Sequence, residues 1–206
     1  MSTKVFGIQE VLKEGWENFK KAPFLLIGLL LISLVATVVI NVVFGSLPGF
    51  ATSLLNALIT SYFMLSTIRA SVMLSKGETP DWSVLKNDIN SYLRFFVATL
   101  LLSVVFIIAS ILFIIPLFFA MAIFFMVPYI IVDRKDISVL GAFTKSWQIA
   151  TPQFLSCLIF IIAIFVLSFI GLIPLGLGLL VVVPLIYTTG SIIYKKLDAA
   201  ANSIND

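Results

Sequence analysis

The chain has 206 residues, of which 61% are hydrophobic and only 11% are charged, and its mean hydropathy is +1.17. A soluble domain is about 25% charged, so this composition leaves too little polar surface for a soluble globule and predicts an integral membrane protein. The single cysteine excludes an internal disulfide. The absence of histidine and the net charge of +3 argue against a histidine-based metal site and a nucleic-acid partner.

Charged residues occur in clusters, separated by uncharged runs at residues 22–68, 95–132 and 146–194. A membrane-spanning helix needs about 20 apolar residues, so each run is close to two spans. Each run also holds a helix breaker near its middle: residues 45–49, Pro116 and residues 171–178. We therefore expect an all-α protein with six transmembrane helices in three helical hairpins. The predicted spans are 23–44, 50–70, 95–114, 117–132, 154–171 and 176–194.

The chain begins with an amphipathic segment. Its apolar residues recur at three- and four-residue steps, on one face of a helix whose other face is charged: Val5, Ile8, Leu12, Trp16 and Phe19. Such a helix lies in the headgroup plane of a membrane. The first 21 residues carry seven charges of both signs, so we expect no cleaved signal peptide.

The first predicted hairpin carries a regular polar pattern. Thr37 and Asn41 precede its turn, and Asn56 and Thr60 follow it, each pair at four-residue spacing. A turn at residues 48–49 sets Asn41 level with Asn56, and Thr37 level with Thr60. Two interpretations stay open. These side chains pair the two helices through hydrogen bonds, or they line a polar path for a solute.

The middle of the chain is introduced by residues 79–81, Thr-Pro-Asp, which resemble a helix cap with a first-turn proline. An apolar face follows, made of Leu85, Ile89, Tyr92 and Phe96. Pro116 stands without a glycine in the following run, so a broken or re-entrant helix is the alternative to a hairpin there.

Two further groups of charges border this part of the chain. Arg69 falls near the end of the second predicted span, so we expect its side chain to reach the headgroups. The signs alternate over residues 133–136, Asp-Arg-Lys-Asp, which predicts a solvated loop whose charges pair with one another.

The third hairpin is introduced by residues 139–152, VLGAFTKSWQIATP, with Ser138 placed as a helix cap. The segments that start at Val11, Val84 and Val139 all open with Val-Leu and place an aromatic residue eight positions on. We interpret them as copies of one unit within a single membrane domain, with repeats at about 5–75, 79–136 and 137–198. Convergent composition is the alternative. The expected interfacial anchors are Trp16, Phe19, Trp82, Tyr92 and Trp147.

The six predicted spans place every charged cluster on one side of the membrane. Lysine and arginine mark the cytoplasmic side. We therefore expect a multi-pass protein of the inner, or cytoplasmic, membrane with both termini in the cytoplasm.

The stretch YIIVDRKDISVLGAFTKSWQIATPQFL, residues 129–155, carries a resemblance. An apolar span ends in IIVD, a charged turn follows, and three spaced residues lead into the next span: Ala142, Ser146 and Trp147. This pattern resembles uncharacterised bacterial and archaeal multi-pass membrane proteins. It is similar to the membrane domain fused to some glycerophosphodiester phosphodiesterases, although Leu117 stands where that pattern has a glycine after proline. The resemblance implies a six-span membrane protein without the phosphodiesterase barrel, and it carries no functional residue over.

The sequence holds no glycine-rich phosphate loop, zinc-ligand spacing or nucleophile elbow, so we expect no enzymatic activity and no cofactor. It favours a non-enzymatic membrane protein that organises the membrane or a membrane complex. Membrane lipids are the expected partners, together with a second copy of the chain or another membrane protein. The alternative is a transporter or permease-like protein for a small or amphiphilic solute.

Overall fold

The computed structural model describes residues 5–202, and in that range the chain forms α-helices and short turns without any strand. The helices are α1 (Ile8–Lys21), α2 (Pro23–Phe44), α3 (Gly49–Ser75), α4 (Ile89–Leu112), α5 (Ile114–Phe124), α6 (Val127–Asp133), α7 (Val139–Ala150), α8 (Phe154–Leu172) and α9 (Leu179–Asn202). Short 3₁₀ turns, Trp82–Leu85 and Thr151–Gln153, precede α4 and α8. The predicted all-α class is confirmed for this part of the chain.

Six helical stretches among the described residues are long and apolar enough to cross a membrane. They are Pro23–Phe44, Gly49–Ser75, Ile89–Leu112, Ile115–Asp133, Val139–Leu172 and Leu179–Asn202. The number agrees with the prediction because a span of about 20 apolar residues is a local property of the sequence. The predicted first span has the same bounds as α2.

The predicted breaks around the first and third turns fall between helices. α2 ends at Phe44 and α3 begins at Gly49, directly after Pro48. The turn between α8 and α9 contains Leu175 and Gly176, which have φ angles of 53° and 82°. Glycine adopts this left-handed conformation without the steric penalty that other residues meet, which explains the glycine in this turn.

The break in the middle run lies before Pro116, not at it. α4 ends at Leu112, Phe113 takes a φ of 148°, and α5 begins at once. Pro116 therefore sits in the first turn of α5, where its missing N–H has no helical partner to lose. The following span is itself interrupted between α5 and α6, ahead of Pro128. α4 and α5 contact each other, and the second half of this run is divided between α5 and α6.

The middle leading segment does not form the predicted helix. Leu85 ends a 3₁₀ turn, and α4 starts at Ile89 with Asp88 as its cap. The predicted apolar face is therefore divided between two elements, because the Asp88 side chain accepts a hydrogen bond from the Ser91 N–H at 2.9 Å and starts a new helix there. Residues 79–81 likewise cap only the 3₁₀ turn, through Asp81. The predicted cap at Ser138 is confirmed, with a 3.0 Å bond from the Gly141 N–H.

Burial is uneven along the bundle. Half of the most apolar window of α3 is buried (50%), against 22% in α2 and in α4. The main core cluster contains residues of α1, α3, α4, α6 and α9 near the charged loops, among them Val11, Ile68, Phe95, Ile130 and Ile193. The end of the bundle that carries the charges is thus the one where helices from all parts of the chain meet.

Candidate functional site

Two carboxylates at the ends of α6 and α9 form the centre of a paired cluster. Arg134 Nη2 lies 2.8 and 2.7 Å from the two carboxylate oxygens of Asp198. Lys145 Nζ lies 3.3 Å from Asp198 Oδ1. Asp133 forms an ion pair with Lys76 and accepts a 2.9 Å hydrogen bond from the hydroxyl of Tyr194. We call this group the carboxylate cluster: Lys76, Asp133, Arg134, Lys145, Tyr194 and Asp198.

The carboxylate cluster ties the ends of α3, α6, α7 and α9 together. The side chains of Asp133 and Asp198 are 18% and 16% exposed, so these contacts are shielded more than ordinary surface ion pairs. The hydrogen bonds to Asp198 raise the pKa of the Arg134 guanidinium above its usual value. The prediction of a loop whose charges pair with one another is wrong, because Asp133 and Arg134 both find partners on other helices.

A second group of charges surrounds a cavity of about 170 Å³ where the ends of α3, α4 and α6 meet. Its lining includes Arg69, Lys86 and Lys135, and we call it the basic pocket. Arg69 Nη1 donates to the backbone carbonyl of Lys86 at 3.1 Å and to Asn87 Oδ1 at 3.4 Å. These bonds fix the loop that precedes α4, and the expectation that the Arg69 side chain reaches the headgroups stays a prediction.

A third feature is a groove of about 680 Å³ between α1 and the ends of α3 and α9. Lys196 bridges two glutamates of α1, with 2.6 Å to Glu10 Oε1 and 2.6 Å to Glu14 Oε1. The hydrogen bond from Lys196 and its charge hold the pKa of the Glu10 carboxyl below its usual value. Lys195 donates to the backbone carbonyl of Ser75 at 2.7 Å. Charges in this groove serve to hold α1 against α9.

A buried polar segment of α9 lies behind that groove, at Thr188, Thr189, Gly190 and Ser191. Thr188 donates to the backbone carbonyl of Gly15 at 3.0 Å, and Ser191 donates to the carbonyl of Ser71 at 2.9 Å. A side chain at Gly15 would collide with Thr189. This contact lets α1 approach α9 closely, as small residues do between membrane helices.

Sequence reasoning did not find this segment. Its only signal is a run of small residues, Thr-Thr-Gly-Ser, in the last span, and the partner glycine lies in a charged helix at the other end of the chain.

The structure brings together two of the four residues proposed as helix-pairing or polar-path residues. Asn56 Nδ2 lies 3.4 Å from Asn41 Oδ1. Thr37 instead donates to the carbonyl of Ser33 in its own helix, at 3.0 Å, and Thr60 is exposed and makes no hydrogen bond to any described residue. Asn56 Oδ1 is buried and has no hydrogen-bond partner within residues 5–202.

The five expected anchors differ in exposure. Trp16, Trp82 and Trp147 are 41%, 51% and 47% exposed, which leaves part of each ring free for contact with its surroundings. Phe19 is buried against the first turns of α2. Tyr92 donates to the carbonyl of Leu58 at 2.9 Å. The last two rings therefore make their contacts within the protein.

Comparisons with protein-family models, curated proteins and solved structures find no match to this chain. The resemblance carried by residues 129–155 accordingly stays a prediction. Among the described residues, no group of three or more acidic, histidine or cysteine side chains is placed to hold a metal ion.

Proposed function

We propose that the chain is a non-enzymatic multi-pass membrane protein that organises the membrane or a complex within it, and that lipids are among its partners. The observation that carries the proposal is the exposed surface of α2, α4 and α8. Large apolar side chains such as Val42, Ile111 and Phe169 are 78%, 77% and 67% exposed on these helices. Lipid chains are the environment in which such a surface carries no hydrophobic penalty.

The proposed topology has three helical hairpins, each entered from the cytoplasmic side. α1 and α7 act as amphipathic leading helices, and the middle copy is reduced to a 3₁₀ turn and a loop. Support comes from the distribution of Lys and Arg, which occur in the charged loops and not in the turns at residues 45–48 and 173–178. The half-exposed tryptophans Trp16, Trp82 and Trp147 also support it. Both termini and the residue 76–88 and 134–138 loops are cytoplasmic in this proposal.

A structural role for the charged end is supported by the state of its acidic residues. Asp133 and Asp198 are each held by cations from other segments of the chain. Acids arranged in this way favour the joining of helices over general acid–base chemistry.

The test is a strain of the native host that lacks the protein. We expect increased permeability to a membrane-impermeant dye and altered lipid order, both restored by the wild-type chain. A variant with Gly15→Leu, which separates α1 from α9, should restore neither. Wholly normal membrane properties in the strain that lacks the protein would contradict the proposal.

The transporter alternative has one observation in its favour, the unpartnered Asn56 Oδ1 in a span. None of the cavities described above is lined by Thr37, Asn41, Asn56 or Thr60. Solute uptake into proteoliposomes, compared between wild type and Asn56→Leu, tests this alternative directly. Uptake that needs the protein and falls in the variant would favour transport.

A further inference from the structure

We propose that the basic pocket binds a phosphate group, carried either by a lipid headgroup or by a soluble phosphate ester. The pocket involves Arg69 of α3, Lys86 in the loop before α4, and Lys135 in the loop after α6. Three cations from three separate segments therefore converge on a cavity the size of a small polar group. This inference goes beyond the proposed function, and either can fail without the other.

The cations of the basic pocket form no ion pairs within the described part of the chain. None of Arg69, Lys86 and Lys135 forms an ion pair with any residue between 5 and 202, whereas every lysine and arginine of the carboxylate cluster does. Asp88 is the one carboxylate in the pocket lining. The lining therefore keeps two net positive charges, which is the complement of a phosphate monoester, whose charge is about −1.5 to −2 at neutral pH.

Asp88 is also occupied by a structural contact. Its Oδ1 accepts from the Ser91 N–H at 2.9 Å, and its Oδ2 accepts from the Ser91 hydroxyl at 3.0 Å. These bonds cap α4 and fix the direction of the carboxylate. Asp88 is therefore held in place at the start of α4. Its single negative charge offsets only one of the three positive charges of the pocket.

The backbone that carries Lys86 is fixed to α3 by several hydrogen bonds. Arg69 holds the Lys86 carbonyl, the Tyr62 hydroxyl donates to the Leu85 carbonyl, and Asn87 Nδ2 donates to Ser66 Oγ at 3.0 Å. The loop is thus positioned before any ligand arrives, which lowers the entropy lost on binding.

The backbone that carries Lys135 is fixed in a similar way by a second arginine. The guanidinium of Arg94, in α4, donates to the carbonyls of Arg134, Lys135 and Ile137. In both loops an arginine holds the backbone, while the lysine ammonium group forms no ion pair with a described residue.

Arg69 supplies donors with the geometry that a phosphate needs. Only its Nη1 is bonded to described residues, so Nη2 and Nε are free to donate to two phosphate oxygens, as guanidinium groups commonly do. The apolar side chains of Leu65 and Ile131 also line the pocket, whereas Lys86 and Lys135 are exposed and accessible to a ligand. Basic pockets between membrane helices at the cytoplasmic side are suited to anionic headgroups.

The experiment measures binding to the full-length chain in a maltoside detergent that contains no phosphate. One arm uses glycerol 3-phosphate in calorimetry, and the other uses dioleoyl phosphatidylglycerol in native mass spectrometry, with dioleoyl phosphatidylcholine as the zwitterionic control. The test variant is Lys86→Gln with Lys135→Gln. The matched control is Lys13→Gln with Lys20→Gln, which removes the same charge from exposed positions on α1.

We expect the pocket variant to bind at least one anionic probe about 25-fold more weakly than wild type, because each lysine contributes about a factor of five. The control variant should stay within about twofold. Lys86→Arg with Lys135→Arg should retain binding. This variant keeps both positive charges, so retained binding would show that the glutamine variant is weak because it has lost charge and not because these positions require lysine for folding. Arg69 is left unchanged because its substitution would also release the loop.

The two arms identify the source of the phosphate. Binding of phosphatidylglycerol that an equal concentration of glycerol 3-phosphate does not displace assigns the site to a lipid headgroup. Displacement, or binding of glycerol 3-phosphate alone, assigns it to a soluble ester. Equal weakening in the pocket variant and in the control would overturn the proposal, since it would reduce the effect to general positive charge. Failure of wild type to bind either anionic probe would also overturn it.

Discussion

The carboxylate cluster and the basic pocket lie next to each other at the charged end of the bundle, and they handle charge in opposite ways. Arg134 belongs to the first and Lys135 to the second, although they are neighbours in the chain. In the cluster, three cations face two carboxylates and all are paired. In the pocket, three cations face one carboxylate that already caps a helix.

This difference indicates different roles for the two regions. Shielded ion pairs that join four helices hold the charged end together, and removal of one partner leaves a charge without compensation. In the pocket, the ammonium groups of Lys86 and Lys135 form no ion pair that would stabilise the fold, and a bound anion would relieve their repulsion. Substitutions in the cluster should therefore change stability, whereas substitutions in the pocket should change binding.

The largest effect is expected for Asp198→Asn. The change leaves Arg134 and Lys145 close together without their shared carboxylate, so we expect the free energy of unfolding in mixed micelles to fall by about 2 kcal/mol. Asp136→Asn is the control, since Asp136 is exposed in the adjoining loop and forms no ion pair with described residues. Equal losses of stability in the two variants would show that the paired Asp198 contributes no more to the fold than the unpaired Asp136.

A smaller loss of stability is expected for Tyr194→Phe. The variant removes the hydroxyl that donates to Asp133, and we expect a loss of about 1 kcal/mol in the same unfolding measurement. A double-mutant cycle with Asp133→Asn isolates this contact. Strictly additive effects would show that the hydrogen bond does not contribute.

Asp88→Asn should strengthen phosphate binding. The pKa of the Asp88 carboxyl lies below its usual value because Ser91 donates hydrogen bonds to it and Lys135 and Arg69 lie nearby, so the group is charged at neutral pH. Asparagine also caps helices, so the fold is kept while one negative charge is removed. We expect about fivefold tighter binding of the anionic probe, glycerol 3-phosphate in calorimetry or phosphatidylglycerol in native mass spectrometry.

Asp81→Asn is the comparison variant, because Asp81 caps the 3₁₀ turn and does not line the pocket, although its charge acts on Lys86. It should strengthen binding less than Asp88→Asn does. Weaker binding in Asp88→Asn would mean that the Asp88 carboxylate positions the pocket through its helix cap. That effect would then be larger than the repulsion between its charge and the phosphate.

The smallest effect is expected for the stability of the Lys86→Gln, Lys135→Gln variant. Neither ammonium group forms an ion pair with a described residue, so the free energy of unfolding without ligand should change by no more than about 0.5 kcal/mol. Lys145→Gln, which removes a cation from the carboxylate cluster, should lower stability more. The reverse order would contradict the assignment of the two regions.

Much of the helical architecture could be predicted from local patterns. The six spans follow from the lengths of three uncharged runs, and the Ser138 cap follows from the residues beside it. The contact of Asn41 with Asn56 was predictable as well, because a short turn fixes which residues of two adjoining helices stand level. The division of the middle segment was missed, since the cap at Asp88 competed with an apolar periodicity that continues through it.

The sequence by itself determined the class of the protein, the number of apolar helices and the clustering of its charges. Those properties depend on residues within a few turns of one another. Only the tertiary structure decided that Asp198 pairs with Arg134 and Lys145, that Gly15 meets Thr189, and that the ammonium groups of Lys86 and Lys135 share one cavity. The physical reason is that ion pairs and close helix contacts depend on distances of a few ångströms between segments far apart in the chain, which no local pattern specifies.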